Sequence, residues 1–125
     1  MIHLDTNALI ALPRLARQRH PLTQRIAAGE PAAASALAWF EYVCGPLPEP
    51  EQHLVRAAIG ARIVEVDEAV AERAAVLFNH AGRRRSLRTD SLIAATAILA
   101  GAELASYNTP DFAPFTAHGL RLLAL

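Results

Sequence analysis

Apolar positions change period from segment to segment along the chain, and the changes predict alternating strands and helices. Ile2 to Leu4 is an apolar run halted by Asp5-Thr6-Asn7, which predicts a buried strand feeding a helix that begins near Thr6. Pro13 marks where that helix ends or restarts, Pro21 opens a second helical stretch to Ala28, and Gly29 suits a C-cap. Ala32 to Ala34 predicts a second strand. Ser35 then caps a helix from Ala36 to Cys44 that stops at Gly45-Pro46. Gly45 to Pro50 holds three of the eight prolines and reads as a stiff surface loop, followed by a helix from Glu51 to about Ala58 that ends at Gly60.

Ile63 to Val66 is the clearest strand by composition, and Asp67 caps the helix behind it. Val70, Ala74, Leu77 and Ala81 recur at helical spacing up to Gly82. Arg83-Arg84-Arg85-Ser86-Leu87-Arg88 is a basic connection, after which Thr89 or Asp90 opens a helix reaching Gly101. Leu104 to Ser106 predicts another strand, Tyr107 to Asp111 a loop, and Leu120 to Leu125 an edge strand. Strands alternating with helices predict an α/β fold, a mainly parallel central sheet flanked by helices.

Composition narrows the classes. The 125 residues are 53% apolar and 19% charged, with no linker or low-complexity tract, which predicts one domain over residues 1–125. The longest apolar stretch, Leu92 to Ala100, contains Thr96 and is too short for a membrane span, so no membrane association is expected. The opening residues lack the pattern of a secretory leader, and Cys44 has no partner for an intrachain disulfide. A cytoplasmic setting is therefore expected, with Cys44 as a small buried residue. All twelve basic residues are arginine, which excludes chemistry that depends on lysine, such as P-loop phosphate binding and Schiff bases. The five histidines are scattered, and no catalytic role is assigned to any.

Three of the four aspartates sit where chemistry is possible, and the fourth, Asp67, reads as a helix cap. In a parallel sheet the functional crevice lies beyond the carboxyl ends of the strands. Asp5 follows the first strand, Asp111 lies beyond the strand ending at Ser106, and Asp90 stands in the first turn of a helix, where the dipole favours an anion. Glu41 stands six residues into the helix that follows the second strand, on a face that otherwise looks inward. Carboxylates gathered at one end of a sheet repel unless protonated or neutralised by a multivalent cation. All-oxygen donors suit Mg2+ or Mn2+, and no histidine or cysteine pair has zinc-ligand spacing. Such an ion lowers the pKa of a bound water and offsets charge on a leaving oxygen, which suits phosphodiester hydrolysis.

With these residues in view, the sequence resembles a PIN-domain ribonuclease of the VapC toxin type over nearly its whole length. The resemblance is carried by the strand before Asp5-Thr6-Asn7, the Ser35-to-Glu41 segment, the helix beginning Asp90-Ser91-Leu92-Ile93-Ala94-Ala95, and Ser106-Tyr107-Asn108-Thr109-Pro110-Asp111-Phe112. It implies a PIN-like three-layer sandwich in which Asp5, Glu41, Asp90 and Asp111 form the acidic metal site, supported by Thr6, Asn7, Ser106 and Asn108. It further implies a Mg2+- or Mn2+-dependent endoribonuclease, the toxin of a toxin–antitoxin pair. Its products would carry a 5′-phosphate, and a VapB-type antitoxin would lay a segment, often with an arginine, into the acidic pocket. Homodimerisation is implied as well. Serine at 106 replaces the more usual threonine and keeps the hydroxyl, and Pro110 restricts Thr109 to extended conformations.

Beside these stand plainer roles. Asp5 and Asp90 suit helix-capping, and Arg83, Arg84, Arg85 and Arg88 form either a solvated loop or contacts to RNA phosphates. Trp39, Phe40 and Tyr42 on one helix predict that at least one ring faces outward, toward a partner or for base stacking, and the resemblance favours a partner. A rival reading is a non-catalytic PIN-like module that binds RNA or protein. A phosphoacceptor domain with Asp5 as nucleophile would need the lysine this chain lacks.

Overall fold

The computed structural model describes residues 1–125. Five strands form one sheet: β1 (Ile2–Leu4), β2 (Ala32–Ser35), β3 (Ile63–Val64), β4 (Glu103–Ser106) and β5 (Arg121–Ala124), in the order β3-β2-β1-β4-β5. Every pairing is parallel, with Ile2 opposite both Ala32 and Glu103. Successive residues of a strand face opposite sides, and Ile2, His3 and Leu4 are all buried, so both faces of β1 are covered. The sheet is flanked by seven α-helices: α1 (Thr6–Arg17), α2 (Pro21–Ala27), α3 (Ala36–Val43), α4 (Glu49–Ile59), α5 (Glu68–His80), α6 (Arg88–Leu99) and α7 (Thr109–Phe112). This is the α/β sandwich expected from the alternation of periods.

Caps fix where helices leave the sheet. Asp5, Ser35 and Asp67 each accept a hydrogen bond from a backbone N–H in the first turn of α1, α3 and α5 respectively. The chain order β1, β2, β3 moves to one side of β1, and the crossover through α5 and α6 carries β4 to the other. The order in which strands are added thus reverses beside β1, where a crevice opens at the carboxyl ends of β1 and β4.

Several boundaries differ from the sequence reading. Pro13 lies inside α1 and is buried, so the helix runs through it rather than ending there. Helix α4 starts at Glu49, because Pro50 occupies a first-turn position where a missing N–H costs nothing. Residues 65 and 66 fall outside β3, which pairs with the sheet only through Ile63 and Val64. Helix α6 begins at Arg88, after a short 3-10 turn at Arg85–Leu87. The stretch after β4 is not all loop: α7 forms with Pro110 in its first turn, so Thr109 opens a helical turn instead of an extended segment. Cys44 is exposed, because it caps the end of α3 where the chain turns outward. On α3, Tyr42 is buried, Trp39 is half-buried against it with ring centroids 5.2 Å apart, and Phe40 is 59% exposed.

Candidate active site

The first strand delivers Asp5 to the crevice, and three donors hold it there. Ser106 Oγ donates to Asp5 Oδ2 at 2.5 Å, and the Ala8 N–H donates to Oδ1 at 2.8 Å. The Asn7 backbone N–H adds a weaker interaction. Ser106 ends β4, so this contact ties the carboxyl ends of the two neighbouring strands together. The Ser106 hydroxyl also accepts from the Asn108 N–H at 2.8 Å, which turns the chain after β4 back toward the crevice. Thr6 Oγ1 donates to Glu41 Oε2 at 2.5 Å, joining the start of α1 to α3. Asn108 Nδ2 donates to Asp111 Oδ2 at 2.8 Å.

Asp5, Thr6, Asn7, Glu41, Asp90, Ile93, Asn108 and Phe112 line one cavity of about 230 Å3. Three of the four acids expected from the sequence therefore meet there. Asp111 does not line it, yet its charge is felt inside. The Asp90 carboxyl is pushed up to about 6, first by burial and then by the negative charges of Asp111, Glu41 and Asp5. Burial also lifts Asp5 above the usual carboxylate range, outweighing the hydrogen bonds from Ser106 and Ala8. Ile93 and Phe112 are buried beside the acids and supply the apolar wall behind this desolvation. The wall follows from neither residue's chemistry alone; its signal is the position of each next to a candidate acid along its own helix.

No base neutralises the cluster. The molecule's ion pairs join Arg25 to Glu30 and Glu103, and the N-terminal amino group to Glu30, at the amino ends of the strands. No three His, Cys, Asp or Glu side chains converge tightly enough to hold a metal ion directly. The donor chemistry nonetheless fits a hard divalent cation, because all the convergent donors are oxygens and their charge is uncompensated. The spacing suits an ion that keeps several waters between itself and some carboxylates.

The other singled-out residues lie elsewhere. Arg83, Arg84, Arg85 and Arg88 are exposed and none lines the cavity. Arg83 donates to Asn79 Oδ1 one turn back along α5, and Arg88 lines a shallow groove between α5 and α6. His3, to which the sequence assigns no catalytic role, is buried in β1. Both of its ring nitrogens lack a partner, and burial, reinforced by the N-terminal charge, pushes it down to about 4, so it is neutral near pH 7.

Comparisons with known proteins agree with this architecture. A toxin–antitoxin complex from Klebsiella pneumoniae is 30% identical, with 90% of this chain and 91% of that one covered and a TM-score of 0.67. The FitAcB structure from Neisseria gonorrhoeae superposes with a TM-score of 0.70 at 22% identity, covering 98% and 96% of the two chains. VapBC2 from Rickettsia felis, bound to a promoter DNA fragment, gives a TM-score of 0.70 at 20% identity over 100% and 99%. No curated protein sequence matches significantly. Residues 2–113 match the PIN domain, and the chain belongs to that family.

Proposed function

We propose that the chain is a metal-dependent endoribonuclease acting as the toxin of a toxin–antitoxin pair. The observation that carries this reading is the convergence of Asp5, Glu41 and Asp90, with no neutralising base, in one cavity of a PIN domain. Asp5, Asp90 and Glu41 would hold one or two Mg2+ or Mn2+ ions, with Asp111 reaching the site from the rim. When bound, the ion lowers the pKa of a water for attack on phosphorus and offsets charge on the leaving oxygen.

The chain's own groups prepare for this. Ser106 and the Ala8 N–H fix the two oxygens of Asp5, Thr6 fixes Glu41, and Asn108 orients Asp111. Asn7 is exposed at the cavity edge, placed to orient water or substrate. Ile93 and Phe112 limit water on one side, so that charge interactions act at reduced dielectric. In the absence of substrate, a cognate VapB-type antitoxin would insert an arginine among the same carboxylates. The toxin assignment is supported by the relative 30% identical over most of both chains, which is described as a toxin–antitoxin complex. A homodimer is part of the proposal, with exposed Phe40 and Val43 on α3 as its apolar contact.

A non-catalytic PIN module is the second reading, favoured by the loose spacing of the acids. Incubating structured RNAs with purified protein in Mg2+, Mn2+ or chelator separates the two. The nuclease reading expects cleavage with metal, 5′-phosphate ends, none in chelator, and a loss of orders of magnitude in Asp5→Asn. Activity that persists in chelator or survives Asp5→Asn would overturn it.

A further inference from the structure

Beside the acidic cavity lies a shallow groove lined by Asn7, Ile10, Ala11, Arg14 and Tyr107, and Asn7 lines both. Tyr107 is held between two residues of the site: Ser106, which grips Asp5, and Asn108, which lines the cavity. Tyr107 is 40% exposed. Arg14 stands two turns beyond Asn7 on the same stripe of α1. Its Nη2 donates to Tyr107 Oη at 3.1 Å, and its guanidinium carbon lies 5.8 Å from the ring centroid. No carboxylate forms an ion pair with Arg14. Ile10, 47% exposed, adds an apolar surface to the groove.

We propose that Tyr107, Arg14 and Ile10 form a stacking subsite for one unpaired nucleobase of the RNA, adjacent to the phosphodiester to be cut. The inference rests on the RNA reading above and names where the strand runs. Proteins that bind unpaired nucleic acid combine aromatic faces, on which bases stack, with cations that meet the backbone. The groove supplies both, and its continuity with the cavity through Asn7 places a neighbouring base there when a phosphate occupies the acidic site. Neither exposed side chain is needed for the core. The Arg14 guanidinium, paired with no acid, also supplies positive charge next to a centre that otherwise repels phosphate, whereas Arg83, Arg84, Arg85 and Arg88 lie outside the cavity.

Fluorescence anisotropy with 5′-labelled single-stranded RNA on the Asp5→Asn protein in Mg2+ tests this. Tyr107→Ala is expected to weaken binding about tenfold or more, while Tyr107→Phe, which keeps the ring, retains most of the affinity. Arg14→Ala is expected to weaken binding and to make it less salt-dependent. In the cleaving protein, Tyr107→Ala should raise KM more than it lowers kcat. Equal affinity of Tyr107→Ala and its parent would overturn the subsite and leave ring and guanidinium as surface for a protein partner. A parent that binds no RNA would instead remove the substrate reading itself.

Discussion

At the scale of single residues, the site is built on carboxylates that the fold makes uncomfortable. Asp90 is a first-turn acid, favoured by the dipole of α6, yet burial and three neighbouring negative charges raise it to about 6. A carboxyl whose folded pKa exceeds its unfolded value of 3.8 contributes nothing adverse below about pH 4 and destabilises the metal-free protein as pH rises through 6. Replacing it by asparagine should therefore raise the thermal midpoint of metal-free protein above pH 6, and the gain should vanish toward pH 4. A gain independent of pH would contradict this. Comparing the two proteins at each pH also cancels His3, whose lowered pKa works the other way by costing stability as pH falls from 6.5 toward 4. Asp5 and Asp90 were legible because few aspartates exist and each stands at a strand end or helix start, and Glu41 because it lies on a helix face that otherwise looks inward. The rim position of Asp111 was not legible, since the turn made by Thr109 and Pro110 decides where its side chain points.

Among the elements, the junction of β1 with β4 matters most, and it hinges on one hydroxyl. Ser106 Oγ donates to Asp5 and accepts from the Asn108 N–H, so Ser106→Ala leaves a buried carboxylate oxygen and a backbone donor without a partner. Urea unfolding should show a loss of about 1–3 kcal/mol, together with a fall in cleavage because Asp5 loses its orientation. Unchanged stability would mean that the contact is not maintained in solution. On α3, Phe40→Glu should convert the proposed dimer to monomer in light scattering without unfolding it, because the ring is 59% exposed in the single chain. The order and type of the strands and longer helices were readable from period and caps. The start of α4 and the existence of α7 were not, because prolines that punctuate loops also suit first helical turns, and the length of β3 was not, because only Ile63 and Val64 find partners on β2.

For the molecule as a whole, charge is sorted along the sheet. Acids paired with Arg25 or the amino terminus lie at the amino ends of the strands, and the unpaired Asp5, Glu41 and Asp90 gather in the crevice beyond the carboxyl ends. With a net charge of zero, capture of RNA on the proposed reading would depend on a few local arginines and on metal, not on a uniform field. RNA affinity should consequently fall between 50 and 200 mM salt by much less than the roughly 10³-fold loss that six or more phosphate contacts bring. The central claim, that separated carboxylates act together as one metal site, is tested most directly by Mn2+ titration followed by electron paramagnetic resonance. The account predicts one or two bound ions per chain, with binding lost or strongly weakened in both Asp5→Asn and Asp90→Asn. Mn2+ binding of the same stoichiometry and affinity in those variants, or none in the wild type, would contradict it.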